Sequence, residues 1–271
     1  MNAIKERNEG KVSTEAILRY SRITRYVLLR SLAWYNTSPK LDFIDEELSY
    51  HEFCDISNVV NILLKIFCDD FDKILESGDN ICLDSEIEYA QFLLSRCKLL
   101  CLEPTYSSFL LVSAFLNNLV LRDGENLECF RIMYITEFCF LVLHRRFFWK
   151  IFDSKDGYQN LQKFCDEFHD NFTKDSTLRD LRKRTVGAKW INIVQNCVDA
   201  SLVSFFLEDG EVKLFEEEYS KINDMECKSD HLREIESLLF PPCERSETEI
   251  FCKICDSKCH NYLVYVSQFC S

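Results

Sequence analysis

The chain has 271 residues, with 32 Lys and Arg against 45 Asp and Glu and a formal charge of −13. Hydrophobic residues make up 47% of it and aromatic residues 13%, which excludes wholesale disorder and allows a sizeable core. Only 6 Gly and 4 Pro are present. That disfavours a β-sandwich or barrel, which needs a turn every ~8–12 residues, and makes phosphate-cradling glycine loops scarce. The acidity argues against coating of nucleic acid or anionic membrane, though local basic patches stay open.

Met1 to Glu9 is charged and has no apolar core of a secretory signal, so the expected location is cytoplasmic or nuclear, not secreted. Without a signal, the 15 cysteines are expected to be reduced thiols serving as small apolar core residues. Ala16, Tyr20, Ile23 and Val27 form one face of an N-terminal helix that is expected to reach about Tyr35. Arg19, Arg22, Arg25 and Arg30 lie beside that face, which makes the helix basic and amphipathic, able to dock on the domain or to meet an acidic partner.

Val60, Leu63, Leu64, Phe67, Phe71, Ile74 and Leu75 follow the helical period until Gly78. Ala90, Leu93, Leu94, Cys97 and Cys101 repeat the pattern, with Pro104 marking the break. The apolar stretch from Tyr106 to Leu121 is interrupted by Ser113, Asn117 and Asn118 and is shorter than the ~20 residues that cross a bilayer. It predicts a buried helix, capped at Ser107 or Ser108. Leu127 to Phe152 is apolar nearly all round and predicts a central helix or pair. A helix through Tyr158, Leu161, Cys165 and Phe168 follows Asp156-Gly157, and one through Trp190, Val194 and Cys197 is expected to close near Asp209-Gly210.

The fold class is therefore all-α: stacked antiparallel helical hairpins in a HEAT-like solenoid, or an irregular helical bundle, with a small Cys-rich appendage. Four parts are expected. Residues 1–55 hold the basic helix and an acidic linker, 56–207 a helical-repeat domain, 208–240 acidic amphipathic helices, and 241–271 the Cys-rich segment.

Catalytic signatures are missing: no Gly-x-Gly-x-x-Gly, phosphate-binding loop, Gly-x-Ser-x-Gly or His-Glu-x-x-His pattern occurs, and an enzyme is not expected. Two constellations remain. Cys252-x-x-Cys255-x-x-x-Cys259-His260, with Cys243 upstream, holds candidate zinc ligands, because a Cys-x-x-Cys knuckle supplies two ligands of a tetrahedron from one turn. Clustering of core cysteines by chance is the alternative. Arg179, Arg182, Lys183, Arg184 and Lys189 form a basic cluster that could meet RNA phosphates or an acidic partner surface. A solvated turn with salt bridges to Asp175 and Asp180 is the plainer alternative.

Leu102-Glu103-Pro104-Thr105-Tyr106-Ser107-Ser108-Phe109 resembles the Glu-Pro-x-aromatic-Ser segment in the middle domain of translation initiation factor four-gamma and its relatives. Asp70-Phe71-Asp72-Lys73-Ile74-Leu75 is similar to the end of that family's first helix, and Lys189-Trp190-Ile191 to Asp199 to its last-repeat helix. The match covers parts of residues 56–207; Asn126 to Phe172 and the Cys-rich tail have no aligned counterpart. The resemblance implies HEAT-like repeats in a non-enzymatic scaffold that binds helicases, other translation factors or RNA in mRNA translation or metabolism. The competing expectation is a structural subunit of an unrelated intracellular assembly with a C-terminal zinc staple. Neither involves a membrane or a small-molecule substrate.

Overall fold

A computed structural model describes residues 14–32, 50–79, 85–127, 131–154, 156–201, 203–224 and 261–262. All regular structure among them is helical, as the periodicity predicts. The helices are α1 (Thr14–Leu32), α2 (Tyr50–Asp79), α3 (Glu86–Leu100), α4 (Tyr106–Leu127), α5 (Arg131–Leu143), α6 (Trp149–Phe152), α7 (Gly157–His169), α8 (Leu178–Arg182), α9 (Thr185–Asp199) and α10 (Asp209–Asn223). A π-helical turn, His144–Phe148, joins α5 to α6.

The apolar run from Tyr106 is the buried helix its composition implies: Ser108 to Val120 are all buried. Its polar residues find partners inside the protein. Ser113 Oγ donates to Phe109 O at 2.8 Å, Asn117 Nδ2 to Val27 O at 3.2 Å, and Asn118 Nδ2 to Asp72 Oδ1 at 2.7 Å. The two asparagine bonds tie α4 to α1 and α2 and offset part of the cost of burying the amides, while Asn117 Oδ1 is buried without a partner. No helix among the described residues is long and apolar enough to cross a membrane.

The cap of α4 differs from expectation. Thr105 caps it, its Oγ1 accepting from the Ser108 N–H at 3.2 Å while its own N–H donates to Ser108 Oγ at 2.9 Å. The bulky Tyr106 occupies the first turn, and Ser108 returns the bond as in a capping box. The second difference lies after α9. That helix ends at Asp199, an extended segment follows, and Asp209-Gly210 opens α10 instead of closing α9. Glu208 and Glu211 set this start: the Glu208 N–H donates to Glu211 Oε2 at 2.9 Å across the first turn.

Helix α2 packs against α1, α4, α7 and α9, and α1 reaches α4 and α5. Helices distant in sequence thus pack into one all-α body, of the class that stacked hairpins and a helical bundle share. Aromatic rings fill the centre. Tyr20, Phe148 and Phe152 lie with ring centroids 5.0–5.7 Å from Phe109, and Tyr158 lies 5.3 Å from Phe152. Edge-on and tilted arrangements of this kind add to the value of the buried area. Tyr158 also donates to Ala16 O at 2.8 Å and receives the Arg19 guanidinium over its ring at 4.4 Å. Arg25 pairs with Glu137 at 2.5 Å. The basic N-terminal helix is thus docked on the domain, the first of its two expected uses.

Five of the seven described cysteines fill the core. Cys97, Cys101, Cys139, Cys165 and Cys197 are buried free thiols. Burial pushes the thiols of all five upward, that of Cys197 to about 12, so they stay protonated. Arg96 is the unusual occupant, 2% exposed on α3. It donates to Ala200 O at 3.2 Å and Ser77 Oγ at 3.0 Å, and its guanidinium lies 5.4 Å from the Phe92 ring centroid. Those oxygens lie at the C-terminal ends of α9 and α2, where helix dipoles favour a cation.

Candidate functional site

Loop 173–177 leads into the α8–α9 corner, which is assembled from short-range chemistry. Thr177 donates through both its N–H (3.1 Å) and its hydroxyl (2.9 Å) to Asp180 Oδ2, and Lys183 Nζ bonds the other carboxylate oxygen at 2.9 Å. Bonds from Lys183 and Thr177 hold the Asp180 carboxyl down to about 2. Helix α9 then turns closely over α8, and Gly187 permits the approach: a Cβ there would lie 2.3 Å from Leu181 O. Trp190 anchors α9 by donating to Ser107 O at 3.1 Å, and its ring lies 5.8 Å from that of Phe168.

All five residues of the basic cluster are exposed on this corner. The structure divides them. Lys183 is paired with Asp180, as the solvated-turn reading holds, and Lys189 pairs with Glu103 at 3.2 Å. Arg179, Arg182 and Arg184 make no ion pair among the described residues. Residues 171–190 carry six Lys and Arg against two Asp, a local charge of +4 in a chain of −13. Exposed aliphatic side chains accompany them: Leu178 and Val186 are each 36% exposed, and Leu102, beside Glu103, 65%. Val186 and Lys189 are one helical turn apart on α9. Positive charge and accessible apolar surface therefore share one corner.

A second feature had no place in the sequence reading. The end of α1, the middle of α2 and the loop after α7 enclose a groove of about 1050 Å³. Asn58, Asn61, Ile62 and Lys65 line it from α2, at positions i, i+3, i+4 and i+7 of one helical face. Arg30 comes from α1, and His169, Phe172, Lys174 and Asp175 from α7 and its loop. Lys65 Nζ donates to Lys174 O at 2.9 Å, and a His169 ring nitrogen lies 3.3 Å from Asp55 O. The sequence signal was the polar set Asn58, Asn61 and Lys65 at helical spacing on α2. A stripe alone does not say whether it faces open solvent or a concavity, and the partners from residues 169–175 are over a hundred positions away.

The candidate zinc ligands Cys243, Cys252, Cys255, Cys259 and His260 lie outside the described residues. Among the described residues, no group of three or more His, Cys, Asp or Glu is placed to hold a metal ion. Nearby in sequence, Tyr262 is buried, with its ring 6.0 Å from Tyr219 and 6.5 Å from Tyr134, so this C-terminal point touches α5 and α10.

The fold and these surfaces define an all-α protein with a basic, partly apolar corner and a neighbouring polar groove. Comparison with family models, curated proteins and solved structures gave no match to the chain.

Proposed function

We propose that the protein is a non-enzymatic helical scaffold that docks a protein partner on the α8–α9 corner. One observation supports the reading most: Arg179, Arg182 and Arg184 are exposed and without ion pairs among the described residues, beside exposed Leu178 and Val186. Unpaired guanidinium groups offer bidentate bonds to carboxylates, and aliphatic neighbours supply the apolar contact that gives an interface its affinity. An acidic segment carrying apolar anchors fits both. The resemblance of Glu103 to Phe109 and of Lys189 to Asp199 to the four-gamma middle domain extends the proposal to mRNA translation or metabolism in the cytoplasm or nucleus, with a helicase or translation factor as the partner. RNA on the same arginines is the second reading, because phosphate accepts the same bonds.

Affinity capture with the full chain and with its R179E/R182E/R184E variant tests this, at low and high salt, with and without nuclease. The expected result is a partner set containing helicases or translation factors that survives nuclease and is lost with the variant. Loss on nuclease treatment would move the assignment to RNA. A partner set that lacks those proteins would refute the translation role, and one indifferent to the three substitutions would refute the docking site.

A further inference from the structure

The α1–α2–α7 groove lies outside the corner just described, and its charge runs against that of the whole chain. Arg30, Lys65 and Lys174 reach it from three separate segments, and Asp175 is the acid among its described lining residues. Arg30 and Lys174 make no ion pair among the described residues. The C-terminal ends of α1 and α7 turn toward the same region, each equivalent to about half a negative charge. From Arg30, Lys65, Lys174 and Asp175 together with these two helix ends, a surplus of about one positive charge is left. That surplus suits one phosphate group. It does not suit a polyanion, which would need many more unneutralised cations along a track.

The size of the groove adds the second element. At about 1050 Å³ it is at the upper end of small-ligand sites and far larger than a bare phosphate requires. Ile62 and Phe172, 6% and 5% exposed, give it an apolar floor. The amides of Asn58 and Asn61 stand on the same α2 face as Lys65 and can donate to or accept from an organic body. Those residues face away from Val59, Val60, Leu63 and Phe67, which pack in the core.

We propose that this groove binds a small phosphomonoester. Arg30 and Lys174 take the phosphate, and the organic body lies on Ile62 and Phe172 within reach of the asparagine amides. The phosphate could belong to a free metabolite or to a phosphorylated residue, and both present the same dianion to the same cations.

Calorimetric titration of the full chain tests the assignment with three probes: inorganic phosphate, adenosine monophosphate and a phosphoserine peptide. One saturable site is expected, with at least one organic probe binding about tenfold or more tighter than inorganic phosphate. A preference for the nucleotide assigns a free metabolite, and a preference for the peptide assigns a phosphorylated segment. R30Q and K174Q should each weaken binding by about tenfold or more, as expected for losing a charge-assisted bond. Lys174 is fully at the surface, so K174Q keeps the test valid if R30Q disturbs the fold. The R179E/R182E/R184E variant should bind all three probes as the wild type does. Absence of binding tighter than about 1 mM in every arm overturns the proposal. So does unchanged binding by both groove variants, or its loss in the corner variant.

Discussion

His144 makes the stability of this fold depend on pH, by an amount that follows from where the ring sits. It opens the π turn, is 1% exposed, and lies 4.5 Å from the Tyr20 ring centroid. Its Nε2 has no hydrogen-bond partner. Burial lowers its pKa from 6.5 to about 4, with smaller opposed effects of Asp153 upward and Arg145 downward. Above pH 6.5 the ring is neutral whether the chain is folded or not. Between 6.5 and 4 the unfolded chain takes up a proton that the folded core refuses, so stability falls as the pH falls. The loss amounts to about 2 kcal/mol between pH 7.5 and 5, and approaches roughly 3 kcal/mol below pH 4. H144L keeps an apolar group of similar reach and removes the titration. Urea unfolding of both proteins at pH 7.5, 6.5, 5.5 and 5.0 gives the difference directly, because every other residue is the same in both. The wild type should lose about 2 kcal/mol more than H144L over that range. Equal losses would refute the argument and mean that the ring is hydrated or paired when charged.

Three further outcomes follow from other sites. G187A should cost more than about 2 kcal/mol in urea unfolding, since its Cβ would meet the Leu181 carbonyl at 2.3 Å and force α8 from α9; a change below ~0.5 kcal/mol would contradict that contact. R96K should destabilise by about 2 kcal/mol or more, because an ammonium cannot span Ala200 O and Ser77 Oγ as the guanidinium does. R96M, which removes the buried charge altogether, should cost less than R96K in the same melts, and the reverse order would refute the desolvation argument. Elemental analysis tests the zinc staple of the competing reading: about one equivalent per chain, lost when Cys252 and Cys255 are replaced by Ser, would support it, and less than ~0.2 equivalents rejects it.

The helices were legible because their signal is local. The period of Val60 to Leu75 and the apolar run after Tyr106 carry enough information to place α2 and α4 and to say that α4 is buried. Caps were less legible, since Thr105, Ser107 and Ser108 all have the right chemistry and only the reciprocal Thr105–Ser108 bonds separate them. The corner arginines were visible as a cluster, but not their division: Lys189 finds Glu103 eighty-six positions away, while Arg179, Arg182 and Arg184 keep no pair among the described residues. The groove was invisible for the same reason. Arg30, Lys65 and Lys174 share no sequence neighbourhood, and their convergence comes from the packing of α2 on α1 and α7.

That convergence gives the net charge a different meaning. Residues 42–55 hold six acids and no Lys or Arg, and residues 208–236 hold eleven acids against four bases. These two segments account for the whole of −13, so the rest of the chain is neutral in sum. A neutral remainder need not be uniform. Residues 171–190 carry +4, and the groove adds Arg30 and Lys65 from elsewhere in the fold. Over a Debye length of about 8 Å at physiological ionic strength, an approaching ligand senses the charges near its point of contact far more than the total. Acidity of the whole chain disfavours indiscriminate polyanion binding, while the ligands proposed for the corner and groove would meet positive charge at the point of contact. The salt dependence of partner capture should therefore track the corner arginines: replacing one of them, as in R182Q, should weaken capture and flatten its dependence on salt.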